Sequence, residues 1–196
     1  TGMPTINGTG WGGRLLDGFD TGDNLAAISL SSPALFLQGF DAGGNVIPPG
    51  TNLSLNGMSF WPQAAADIRR QALDNILLQD GGNLMRQAAN EKLADGLKLS
   101  DALKSGGNLT PLTRVFPGTS LGNQLKDALR LIRLRAQQGP GRQVFFCSLD
   151  GFDLHSSQGW NHWYLLSTLS QALAAFYDAT QEAGLADQVT MFTQSE

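Results

Sequence analysis

Asp150, Asp153 and His155 stand close together in VFFCSLDGFDLHSS, residues 144–157, directly after a near-continuous apolar run. In an extended segment, residues two apart face the same side. Asp153 and His155 can therefore reach one ion if the chain stays extended there. A carboxylate with an imidazole nitrogen suits zinc, manganese or iron, and hard cations such as calcium remain open. His162, in WNHWY, is the chain's other histidine. It is a candidate ligand, general acid or hydrogen-bond partner of a ligand. Ser195 and Glu196 follow a second apolar run, Val189–Thr193. If the two runs are neighbouring parallel strands, Glu196 adds a further carboxylate at the same edge, because functional groups in such sheets collect past the carboxyl ends of strands.

Ordinary readings compete. Asp153, Ser156 and Ser157 lie just ahead of a long helix, where such residues cap N-termini. His155 would then be a surface residue. His162 could equally stand exposed beside a packed cluster of Trp160, Trp163 and Tyr164. Cys147, alone in the chain, has no internal disulfide partner and reads as a small buried thiol. GTSLG at 118–122 has the spacing of a nucleophile elbow around Ser120. No apolar strand precedes it, so Thr119 and Ser120 read as a helix N-cap. GWGG at 10–13 lacks the spacing of a phosphate loop. Arg14 reads as a surface arginine.

The elements that must position these groups follow from periodicity and punctuation. Residues 9–20 form a short helix after a glycine-rich entry, and 25–31 and 34–40 form two strands separated by Ser32-Pro33. Residues 41–57 are a glycine- and proline-rich excursion, with NLSLNG at 52–57 as a short strand. Three helices follow. Residues 62–79 present Ala65, Ile68, Ala72 and Ile76; residues 84–105 present Leu93, Leu97 and Leu103; residues 120–138 present Leu121, Leu125, Leu129 and Ile132. Val144–Leu149 reads as a strand covered on both faces. Residues 159–183 form a long helix with Leu165, Leu166, Leu169, Leu173 and Phe176 on one stripe, and Val189–Thr193 is the next strand. Together, residues 144–196 read as a βαβ unit, and about 62–138 as a helical insertion.

Composition fits one soluble globular domain: 41% hydrophobic and 15% charged residues, net charge -4. No basic stripe speaks for nucleic acid. No apolar run approaches the ~20 residues that span a bilayer. The chain opens without an initiator Met or a signal segment and ends on a strand and its turn, so both ends read as cuts inside a longer protein.

The block GFDLHSSQ, then His162, Leu165-Leu166 and Leu173–Tyr177, resembles the bacterial domain-of-unknown-function family fifteen-oh-one. TGWGGRLLDGF and NLSLNG resemble it too, so the likeness runs along the whole chain. Two positions depart from its usual G-G-F-D-T-H: Asp150 replaces a glycine and Leu154 a threonine. That family is placed in the alkaline phosphatase and sulfatase clan. The resemblance implies an α/β fold, a three-layer αβα sandwich of the alkaline phosphatase type, incomplete at both ends. It also implies a divalent metal held by Asp153, His155 and Glu196, assistance from His162, and hydrolysis of phosphate or sulfate esters. A twin-arginine signal upstream would export the full-length protein to the periplasm or beyond. The first-strand ligand and the nucleophile would fall outside this chain, leaving it inactive alone. The alternative is a non-catalytic cell-envelope binding or assembly protein on the same fold.

Overall fold

The computed structural model describes residues 8–19, 26–51, 61–79, 82–105, 109–138 and 141–195. Among them the chain is mixed α/β, with five α-helices and a small sheet of three parallel strands. It divides into two compact units. The first comprises Thr1–Thr51 with Leu109–Glu196, and the second Asn52–Asn108.

In the first unit, α1 spans Trp11–Asp17, β1 Ala27–Ser29, β2 Asn45–Val46, α4 Ser120–Gln138, β3 Val144–Phe146 and α5 Gln158–Glu182. The strand order is β2-β1-β3, with Ile28 opposite both Asn45 and Phe145. β1 is buried on both faces. Ala27 and Ser29 face one way, Ile28 and Leu30 the other, and none is more than 2% exposed. On the first face, Ala27, Val144 and Phe146 pack with Leu16 of α1 and with Phe36 and Leu37. β3 is half-buried rather than covered on both faces as expected, because among the described residues it pairs only with β1.

Residues 34–40 are not a strand. Leu37 N–H donates to Ala34 C=O and Gln38 N–H to Leu35 C=O, closing a 3-10 turn at Leu35–Leu37 that drives Leu37 fully into the core. The apolar run predicted a pairing segment, but here it serves as a plug. Val189–Thr193 likewise joins no ladder among the described residues. Its Phe192 ring instead stacks on Trp11. NLSLNG at 52–57 lies outside the described residues.

α4 and α5 pack against each other. α4 buries Leu121, Leu125 and Leu129 as its period predicts. α5 buries its expected stripe only in part: Phe176 is buried, and Leu165, Leu169 and Leu173 are half-buried. Leu166 is 47% exposed, while Thr168, Ala172, Ala175, Phe176, Ala179 and Thr180 are buried. These positions still follow the helical period, displaced by about one residue, and most of their side chains are small. Gly184, at φ +68°, turns the chain after α5.

In the second unit, α2 spans Gln63–Leu77 and α3 Leu84–Ser105. α2 turns Ala66, Leu73 and Leu77 inward, leaving Ile68 and Ile76 exposed, one position away from the expected face. Arg70 clamps the pair through a two-pronged contact with Asp101, at 2.8 and 3.3 Å, and also holds Asp74. Leu97 is buried as expected, but Leu93 is 40% exposed. Among the described residues no helix is long and apolar enough to cross a membrane.

Candidate functional site

With β1 central and the chain crossing from β2 on one side to β3 on the other, the ends of β1 and β3 form a topological switch point. In open parallel sheets, ligands bind in the crevice outside such strand ends. Two hydroxyls meet there: Ser31, just past β1, and Ser148, just past β3, are 2.6 Å apart. Gln124 of α4 reaches the same place. Its Oε1 accepts the Ser148 N–H at 2.9 Å and its Nε2 donates to the Ser148 C=O at 3.1 Å. None of the three was singled out from the sequence. The one signal was a glutamine on the Leu121–Leu125–Ala128 stripe.

The segment leaving β3 carries the predicted site residues. Gly151 takes φ +102°, so the chain turns at once, and Leu165 lies in ordinary contact with the space its side chain would fill. Asp153 Oδ1 then comes within 3.3 Å of His155 Nε2, ion-pair distance when the imidazole is protonated. Both side chains are open to solvent, Asp153 92% and His155 87% exposed. Two ligand atoms each about 2.1 Å from one ion, at a near-tetrahedral angle, stand about 3.4 Å apart. The pair thus fits one divalent ion in donor type and in spacing. It provides two of the three or four protein ligands that zinc takes. Among the described residues no group of three or more His, Cys, Asp or Glu converges. Glu196 lies outside the described residues.

Asp153 does not cap α5. The N-cap is Ser157, at φ +50°, and no side chain bonds to the helix end there. His162, one turn into α5, is exposed and meets the Phe152 ring edge-on, 5.9 Å between centroids. Phe152 adjoins Asp153 in sequence, so His162 borders the same segment. Trp160 and Trp163 contact each other at 5.1 Å but remain 70% and 58% exposed, and Tyr164 56%. The expected packed aromatic cluster is therefore a solvent-facing one.

Other candidates resolve into structural roles. The Thr119 hydroxyl accepts the Gly122 N–H at 3.1 Å and caps α4, while the Ser120 hydroxyl accepts from Gln124. Arg14 donates to the Thr9 carbonyl and hydroxyl. Burial pushes the Cys147 thiol up to about 12, so it is held as the neutral thiol. A cavity of about 280 Å³ lies on the β1–β2 side, lined by Ser29, Leu37, Gln38 and Val46; Asp153, His155 and His162 take no part in it.

Compared with family models, with curated proteins and with solved structures, the chain gives no match.

Proposed function

We propose that this chain carries part of a metal-dependent site for hydrolysis of phosphate or sulfate esters, on a sandwich of the alkaline phosphatase type. The observation that carries the reading is the approach of Asp153 Oδ1 to His155 Nε2 within 3.3 Å, just past the end of β3. A carboxylate and an imidazole paired in the segment after a strand supply two of the ligands that a divalent ion needs. The high exposure of both leaves them free to take one. The resemblance of GFDLHSSQ to the family described above supplies the reaction class and the export of the protein. Burial of β1 on both faces agrees with a layered sheet.

In this reading Asp153 contributes an anionic oxygen and His155 a neutral Nε2. A divalent ion held there would supply Lewis-acid polarisation of an ester oxygen. His162, edge-on to Phe152 and open to solvent, would give a proton to the leaving group or orient a ligand. Glu196 is the candidate for a third ligand.

A second reading, a non-catalytic binding or assembly protein of the cell envelope, draws on the exposed Trp160, Trp163 and Tyr164 beside the same segment. Metal analysis by mass spectrometry separates the two, using protein purified without chelator and after exposure to zinc, manganese and calcium. One ion per chain, lost in His155→Ala, supports the hydrolase, and phosphate and sulfate ester screens then follow. No bound ion under any condition turns the assignment to the binding protein.

A further inference from the structure

The ladder between β1 and β3 ends earlier than its register allows. Val144 N–H donates to Ala26 C=O at 2.6 Å, and Leu30 N–H donates to Phe146 C=O at 2.9 Å. Continued by two residues, this parallel pattern would have Ser148 N–H donate to Leu30 C=O, and Ser32 N–H donate to Ser148 C=O. β1 does not continue. Ser29 Oγ donates to Ser32 C=O at 2.5 Å and accepts the Ser31 N–H at 3.4 Å, so the backbone turns out of the ladder while Ser31 Oγ still meets Ser148 Oγ at 2.6 Å.

The primary amide of Gln124 takes both vacated places. Its oxygen meets the Ser148 N–H and its nitrogen the Ser148 C=O; the nitrogen also donates to Ser120 Oγ at 3.2 Å. That arrangement copies the acceptor and donor a neighbouring strand would offer. Gln124 is only 3% exposed, so its amide bonds are made away from water, where leaving them unmade is costly.

We infer that Gln124 is a positioning residue for the candidate site. Its side chain takes the backbone hydrogen-bonding places of β1 past Leu30, where only the Ser31 hydroxyl still reaches Ser148, and fixes the direction in which β3 leaves toward Asp150, Asp153 and His155. The chemical consequence rests on the proposed metal site; the mechanical part does not.

The test uses the chain with Gln124→Leu and Gln124→Glu, followed by amide hydrogen exchange and backbone relaxation in nuclear magnetic resonance. Gln124→Leu raises exchange at the Ser148 amide at least tenfold, while Val144 and Leu30 stay within about twofold. Backbone order falls across residues 150–155 and holds in α4 and α5. Gln124→Glu at pH 3, below the ordinary glutamate pKa of about 4.3, again offers one donor and one acceptor and restores protection at Ser148. At pH 8 the ionised carboxylate still accepts the Ser148 N–H but has no proton to give the Ser148 carbonyl, and backbone order in 150–155 falls toward that of Gln124→Leu. Unchanged exchange at Ser148, a parallel rise at Val144 and Leu30, or unchanged order in 150–155 each overturns the inference. Zinc titration of the wild type is read separately: absence of binding removes the metal reading, and the exchange and relaxation data still decide the role of Gln124.

Discussion

Gly13 of α1 and Gln38 are in backbone contact: a Cβ placed on Gly13 would stand 2.2 Å from the Gln38 carbonyl carbon. No rotamer change relieves a clash with main chain. Gly13→Ala must push α1 off the segment that follows the 3-10 turn, against the core formed by Leu16, Ala27 and Leu37. The expected loss is about 3 kcal/mol, at the upper end for overpacking. Gly43→Ala, where the added methyl meets nothing within 4 Å, serves as the control and stays within about 0.5 kcal/mol. Urea denaturation midpoints compare the two, and equal midpoints would refute the tight fit.

Removing either candidate ligand separates binding from folding. Asp153 and His155 are so exposed that Asp153→Ala and His155→Ala shift stability by less than about 0.5 kcal/mol. Each nevertheless removes half of the two-atom site, so zinc or manganese affinity measured by calorimetry falls below detection. Retained affinity in both variants would count against the metal assignment.

The carboxylate of Asp17 accepts three backbone N–H groups, from Phe40 and Ala42 at 2.7 Å and Asp41 at 3.1 Å. These donors, the Ala42 N–H first, hold its pKa below the ordinary 3.8. Because the folded value is the lower one, the contribution is fully present above pH 3.8 and is lost as pH falls through the folded pKa. Asp17→Asn should therefore lower the unfolding temperature most near neutral pH, and the gap from wild type should narrow as the solution is acidified below that point. A gap that is flat from pH 7 to pH 3 would mean that charge plays no part in holding the 40–42 turn.

Cys147 should resist alkylation in the folded chain. With the thiol held neutral, the thiolate is scarce at pH 8, and labelling is slower than for an exposed cysteine by at least about 10-fold, the greater nucleophilicity of a high-pKa thiolate offsetting part of its scarcity. Reaction with a chromogenic disulfide in buffer and in denaturing urea reads this directly. Similar rates in the two solutions would contradict the burial.

The four long helices, α2 to α5, are legible in the sequence because each sustains a 3.6-residue period over 15 to 25 residues. Periodicity does not say which of two adjacent stripes is buried. In α5 the buried positions include Ala172, Ala175 and Ala179 while Leu166 stays exposed and Leu173 half-buried, a choice set by tertiary packing and not by the period. ALFLQGF at 34–40 shows a different limit. A short apolar run is compatible with a strand, but whether it finds a partner depends on tertiary geometry, and here it closes a turn around Leu37. At the candidate site, the two-residue spacing puts Asp153 and His155 on one side only if the segment stays extended, and their Oδ1 and Nε2 stand 3.3 Å apart. Gln124 was visible only as a polar residue on an apolar stripe. Its partner Ser148, 24 residues away, is fixed by where β1 stops, which no local pattern encodes.

The strand order also sets a timetable. β1 and β2 leave the ribosome long before β3, and the serines that mark the ends of β1 and β3 are 117 residues apart. At roughly 5–20 residues per second of synthesis, the central strand waits about 6–23 s for its second partner. The contact of α2 with α3 through Arg70 and Asp101 spans 31 residues and can close during that interval. During synthesis, one side of β1 is therefore an exposed row of peptide groups, the kind of surface that chaperones hold and that other nascent chains can capture. Pulse-labelled hydrogen exchange on refolding chains should accordingly show α2 and α3 protected before Ile28 and Leu30.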